Sequence, residues 1–164
     1  MSSTAITTTP RLTPSRRELA LSAGATLAVA AMILAIGPAP GDAPAHLYRT
    51  FLVEHGIVLW DNLWYAGQYP LASYSLLYYF PAALVGNVPL VLGAAMVATI
   101  LFAFISYREW GQSACWPTRI FAVLAAAPMF TGLYPYTLGF AAMLAALRLL
   151  QGAEDYAEKA ARRS

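Results

Sequence analysis

Long charge-free apolar runs, separated by short polar or proline-rich pieces, set the pattern of this chain. Residues 19–37 (LALSAGATLAVAAMILAIG) carry no charge, and Pro38 and Pro40 end the run. About 20 such residues suffice for one membrane crossing. A second run covers residues 90–107 (LVLGAAMVATILFAFISY). A third, from Ile120 to Leu147, is too long for one ordinary crossing and holds a turn signal, Gly132-Leu133-Tyr134-Pro135, in its middle. Splitting it there predicts spans over residues 116–133 and 135–150. Pro128 is expected to kink the first of these, and Arg119 and Arg148 to snorkel from the span ends. Residues 73–85 form a shorter apolar stretch with Pro81 inside it, a length that suits an interfacial or re-entrant segment.

Ala43–His55 follows a different period. At about 100° per residue, Leu47, Tyr48, Phe51 and Leu52 share one side, and Asp42, His46 and Arg49 line up on the other. The pattern predicts an amphipathic helix lying in the membrane interface and stopped by Gly56. The expected fold class is therefore all-α: a polytopic integral membrane bundle of about four spanning helices, with interfacial helices in one large outside loop, residues 38–89. Residues 19–150 form the membrane domain. Eight of residues 1–15 are Ser or Thr, so residues 1–18 read as a disordered tail. Residues 151–164 read as a second, charged tail.

Composition sharpens this picture. Of 164 residues, 59% are hydrophobic and 11% charged, against about 25% charged in an ordinary soluble domain. A water-soluble globule and a disordered chain are both excluded. A net charge of +2 supplies no basic patch for nucleic acid. The single cysteine, Cys115, permits no internal disulfide and no cysteine-rich metal site; it reads as a plain reduced thiol.

Charge also orients the chain. With four spans and the amino terminus inside, nine of the ten basic residues fall on the inner side, and only Arg49 lies in the outside loop, as the positive-inside rule requires. Counting residues 73–85 as a span would place Arg108 and Arg119 outside. The expected location is the plasma membrane, multi-pass, with both termini cytoplasmic. A cleaved export signal is the competing interpretation of the start: Ser15-Arg16-Arg17-Glu18-Leu19 loosely resembles a twin-arginine signal, and Ala43-Pro44-Ala45 a cleavage site. The 19-residue apolar run exceeds the usual signal core.

The predicted span interiors contain no Asp, Glu, His or Lys, which argues against a self-contained pump or coupled transporter. Chemistry is therefore sought in the outside loop, which holds Asp42, His46, Arg49, Glu54, His55 and Asp61. Each has a plain structural alternative. Asp42 stands where a helix cap should stand. His46 on a polar face reads first as a surface histidine, and Arg49 and Glu54 as a solvated face or headgroup contacts. Eight of residues 60–80 are aromatic, and a membrane-anchoring belt accounts for Tyr78 and Tyr79. That explanation is weaker for Trp60, Trp64 and Tyr65, which are interleaved with Asp61, Asn62 and Gln68. Aromatic faces beside hydrogen-bonding side chains suit a polar ligand with apolar faces, such as a sugar. His46 and His55, nine positions apart on different faces, suggest no metal site.

Gly41-Asp42-Ala43-Pro44-Ala45-His46-Leu47 directly follows the first run. Glu54-His55-Gly56, Trp60-Asp61, Trp64-Tyr65-Ala66-Gly67-Gln68-Tyr69-Pro70 and Tyr74-Ser75-Leu76-Leu77-Tyr78-Tyr79 come after it. This order resembles the amino-terminal part of polytopic membrane glycosyltransferases of the GT-C type, over roughly residues 19–150. The resemblance implies that Asp42 matches the acidic catalytic position and His46 the histidine four residues later, while Tyr65, Gly67 and Pro70 match the aromatic-Gly-Pro stretch. It implies a polyprenyl-phosphate-linked sugar as donor. Asp42 would act as base, Arg49 would pair with phosphate, and His46, Arg49, Asp61, Trp64, Tyr65 and Gln68 would line the substrate site. A divalent metal is the one cofactor it leaves open.

The chain departs from that family in span number, about four against about a dozen, and Ala43 replaces a second acidic residue. An incomplete or split enzyme is expected, with membrane lipid and a second membrane subunit as partners. The competing class is a non-enzymatic membrane subunit that binds a partner protein or lipid. Gly93, Ala94 and Ala95, together with Ala125–Ala127, would provide it with close helix packing.

Overall fold

A computed structural model describes residues 12–58 and 75–161 of the chain. Among them there is no strand. Seven α-helices follow in order: α1 Arg16–Ile36, α2 Ala43–Glu54, α3 Leu76–Val85, α4 Asn87–Trp110, α5 Cys115–Leu124, α6 Pro128–Thr131 and α7 Tyr134–Ala161. A 3-10 turn, Gly111–Ala114, joins α4 to α5. Three helical stretches are long and apolar enough to cross a membrane: Arg16–Ile36, Asn87–Thr131 (which contains α4 to α6) and Tyr134–Ala161.

Helix α1 starts earlier than expected, because its first turn is built for a start. The Ser15 hydroxyl accepts a hydrogen bond from the Glu18 backbone N–H at 3.1 Å, the Ser-x-x-Glu arrangement that satisfies an otherwise unpaired helix-end donor. Residues 16–18 are thus helix, not tail. Pro14 is buried, and Leu12 lies against Gly111.

The buried side chains of α1 are Glu18, Ser22, Thr26 and Ala30. They recur every four residues, so they form one stripe. Leu21, Leu27, Met32 and Leu34 point away from the body. This is the reverse of a helix in water: the polar positions face inward and the apolar ones outward. Two of the inward polar groups, Glu18 and Thr26, find partners on other helices. Thr26 Oγ1 lies 2.8 Å from the Ala122 carbonyl and 2.9 Å from Thr99 Oγ1. The two hydroxyls share one hydrogen bond, and each also reaches a carbonyl of its own helix, Ser22 for Thr26 at 3.2 Å and Ala95 for Thr99 at 3.0 Å. One contact point thus ties α1 to both α4 and α5. Two turns toward the start of α1, Arg119 donates to both Glu18 carboxylate oxygens, at 2.9 and 2.8 Å. Arg119 therefore pairs with a neighbouring helix instead of snorkelling alone.

The expected third span is divided. Helix α5 ends at Leu124 and α6 begins at Pro128. Proline has no N–H to give the carbonyl four residues back and its ring crowds that position, which here is Leu124. The Ala127 N–H bonds that carbonyl instead, at 2.9 Å. Pro128 produces a break and a fresh start, not a kink inside one helix. Gly132 then closes α6 at φ 85°, and α7 opens two residues later, at the expected turn.

Helices α4 and α7 run side by side in the same direction, packed through Ala94, Ala98, Ile105, Ala141 and Leu144. Small side chains allow this close approach. Helix α7 does not stop at residue 150. It continues to Ala161, so residues 151–161 are helix and not a separate tail. Arg108 secures that extension, donating to Asp155 at 2.7 Å, to Glu154 at 3.2 Å and to the Gln151 carbonyl at 3.2 Å. Helix α3 is ten residues long, too short to cross, as expected for the stretch around Pro81.

Replacing Thr26 tests the three-helix contact. Thr26→Val keeps the shape and removes the hydroxyl, and should cost about 0.5–1.5 kcal/mol. Thr26→Leu must also overfill a fully buried site and should cost about 1–3 kcal/mol. Reversible unfolding in mixed micelles reads both. Equal stability of Thr26→Leu and the parent would show that the contact is not formed.

Candidate functional site

The end of the bundle opposite the Glu18–Arg119 pair gathers Asp42, His46, Arg49, Thr50 and Asn87 from the predicted outside loop. Helix α2 forms as the period of its sequence predicts and ends at Glu54, with Gly56 at φ 79° just beyond. Its orientation decides what it can do. Ala45, His46, Arg49, Thr50 and Leu52 are buried, while Leu47 is 59% and Phe51 53% exposed. His46 and Arg49 of the polar side pack on the protein, and Leu47 and Phe51 of the apolar side are turned outward, while Leu52 is buried with the polar pair. His46, expected at the surface, is only 3% exposed.

His46 is held by three elements. Its Nδ1 lies 2.9 Å from the Tyr79 hydroxyl of α3. Its ring stands 5.3 Å from that of Tyr134, at the start of α7. Burial holds the imidazole below the ordinary histidine range, against a hydrogen bond to the Gly132 backbone and the charge of Asp42, which both favour protonation. In the neutral ring, Nδ1 accepts from Tyr79, and the other nitrogen is left to donate to the Gly132 carbonyl.

Two further groups knit the site together. The Tyr78 hydroxyl donates to Asn87 Oδ1 at 3.0 Å, and Asn87 Nδ2 donates to Thr50 Oγ1 at 2.9 Å. Helices α2, α3 and α4 meet at this one amide. Burial pushes the Tyr78 phenol well above its usual range, so it stays a neutral donor. The Arg49 guanidinium lies over the Tyr79 ring, its Cζ 5.5 Å from the centroid, a cation held against an aromatic face.

Asp42 stands at the start of α2 and is exposed. It makes no side-chain cap bond, so capping does not occupy its carboxylate. Its backbone lies directly on Gly132: a Cβ placed there would come within 2.9 Å of the Asp42 nitrogen and 3.0 Å of its Cβ. Glycine at 132 therefore serves two ends, the left-handed backbone and the close approach of α2.

The structure thus brings Asp42, His46 and Arg49 to one end of the bundle. Asp61, Trp64, Tyr65 and Gln68 lie outside the described residues, as does the Tyr65-Gly67-Pro70 stretch. Among the described residues, no three His, Cys, Asp or Glu side chains gather where they could hold a metal ion. The sequence did not mark Thr50, Asn87, Gly132 or Tyr134 as part of this site, and assigned Tyr78 and Tyr79 to a membrane belt. The one legible signal was Asn87, a lone amide between two apolar runs.

No family model matches the chain, and no curated protein or solved structure is significantly similar to it.

The depressed His46 pKa has a testable sign. The unfolded chain takes up a proton near pH 6.5, while the folded protein resists protonation until lower pH. Stability is full above pH 6.5 and falls as the pH drops below it, until the folded protein is protonated too. Melting temperature in micelles should decline between about pH 7 and pH 5, and His46→Gln should flatten the decline. Parallel slopes for parent and variant would remove His46 from this role.

Proposed function

We propose that the chain is a four-pass plasma-membrane protein and the incomplete or split counterpart of a GT-C-like glycosyltransferase that uses a polyprenyl-phosphate-linked sugar. In this arrangement α1, α4, the α5–α6 leg and α7 each cross the bilayer. Both termini are cytoplasmic, and α2 and α3 lie at the outer interface. The observation that carries the proposal is the state of Asp42: an exposed carboxylate not engaged in capping, next to a buried His46 and one face-turn from Arg49. The outward apolar face of α2 adds support, because it sets the helix at the depth where a lipid-linked donor presents its phosphate.

The residues would divide the work as follows. Asp42 takes the proton from an acceptor hydroxyl as its oxygen attacks the anomeric carbon. The bond from that carbon to the phosphate oxygen breaks, and the polyprenyl phosphate leaves with the electron pair. Arg49 offsets the charge on the departing phosphate. His46 is a positioning residue, which holds α2 against Tyr79 and the Gly132 turn.

A second possibility is a non-enzymatic subunit. It draws on a groove of about 520 Å³ between α4 and α7, lined by Gly93, Ala94, Val97, Ala141, Ala142 and Ala145. Such small residues admit a further transmembrane helix.

In cells that depend on the protein, Asp42→Asn at equal protein level should lower surface glycan by roughly a hundredfold or more, the scale of a lost general base. Gly132→Ala should lower it too, by displacing Asp42. Gly93→Leu should leave glycan unchanged and, if the groove holds a partner helix, break up the larger complex on a mild-detergent native gel. Normal glycan with Asp42→Asn would refute the catalytic role.

A further inference from the structure

At the opposite end of the bundle, Leu12, Thr13, Phe104, Arg108, Arg148, Asp155 and Lys159 enclose a cavity of about 250 Å³. Three of these seven are cations. Arg108 is matched by carboxylates on three sides, from Glu109, from Glu154 at 3.2 Å and from Asp155 at 2.7 Å. Arg148 and Lys159 remain. Among the described residues, neither has a carboxylate within ion-pair distance. The Arg148 guanidinium sits over the Phe104 ring, Cζ 6.0 Å from its centroid, and donates to no acceptor among the described residues. Arg108 is about nine-tenths buried, yet its Nε–H has no hydrogen-bond partner. The cavity therefore presents unmatched donors: a buried Nε–H on Arg108, a half-buried guanidinium on Arg148 and an exposed ammonium on Lys159.

Its position narrows the ligand. Arg148 lies within the apolar run Leu147–Leu150 of α7, and Leu147, Leu149 and Leu150 are exposed beside it. Lys159 lies three turns further on, past the end of that run. A ligand seated here meets hydrocarbon on one side and two cations on the other. We infer that this cavity binds the phosphate of an anionic phospholipid, with Arg148 and Lys159 as its charge partners and the acyl chains laid along Leu147 and Leu150. Guanidinium matches phosphate oxygens with paired N–H donors, and basic pockets between transmembrane helices are suited to anionic headgroups. The volume lies below the roughly 300–1,000 Å³ of ordinary small-molecule pockets, which suits a phosphate and its glycerol. This site is separate from Asp42 and does not depend on the chemistry proposed there.

Lys159 is the chain's one lysine, which gives a direct test on the unaltered protein. The full chain is reconstituted in nanodiscs of phosphatidylcholine, with or without one-fifth phosphatidylglycerol, and treated with an amine-acylating reagent. Phosphatidylglycerol should protect Lys159 by roughly tenfold over phosphatidylcholine alone, and native mass spectrometry should find phosphatidylglycerol retained. Arg148→Gln/Lys159→Gln should abolish the retention, while Arg17→Gln, at the same end but outside the cavity, should preserve it.

Equal acylation of Lys159 in both bilayers would overturn the inference, as would equal loss of retention with Arg17→Gln. Glycerol phosphate added at millimolar concentration should not displace the lipid. If it protects Lys159 as well as the lipid does, the ligand is a soluble phosphate ester and the lipid assignment fails.

Discussion

A polar side chain inside an apolar bundle has only other protein groups to bond, and the arrangement of this protein follows from that constraint. Thr26, at the crossing of α1, α4 and α5, reaches a carbonyl on one neighbour and a hydroxyl on the other. Glu18 and Arg119 satisfy each other at one end of the same interface, and Asn87 serves three helices at the far end. Hydrocarbon gives little driving force for burying leucine against leucine. Matched polar groups and small side chains therefore position the helices, and the large apolar residues are left on the outside.

The same logic explains why the two ends differ. At the Arg108 end the polar groups are charged: Glu109, Glu154 and Asp155 gather on one guanidinium, with Arg148 and Lys159 nearby. At the Asp42 end the buried polar groups are mostly neutral: an imidazole kept uncharged by burial, the three phenols of Tyr78, Tyr79 and Tyr134, and an amide. Asp42 and Arg49 are the charges set among them. The dipoles of these groups are fixed by their mutual bonds, so they need no reorganisation when charge develops beside them.

Gly132 joins the fold to the site. It ends α6, permits the turn into α7, and leaves room for the backbone of Asp42. Pro128, four residues earlier, forces the helix to restart so that this turn falls at the bundle end. Two residues with special backbone properties thus determine where the start of α2 can rest.

The sequence by itself determined the all-helical class, the apolar runs and most of their limits, because run length and period depend on local composition alone. Proline and glycine marked the breaks at Pro38, Gly56 and Gly132 for the same local reason. Tertiary structure decided which face of α2 turns inward. The period separates His46 and Arg49 from Leu47 and Phe51, but it does not say which set meets protein, and with lipid outside the answer is the reverse of that in water. Tertiary structure also decided the pairing of Glu18 with Arg119 and the junction at Asn87. It decided, too, the continuation of α7 beyond residue 150, where Arg108 collects carboxylates 46 and 47 positions away. Contacts at that separation leave no trace in local pattern. They depend on where helices cross, and the crossings are set by the few buried polar groups that must find one another.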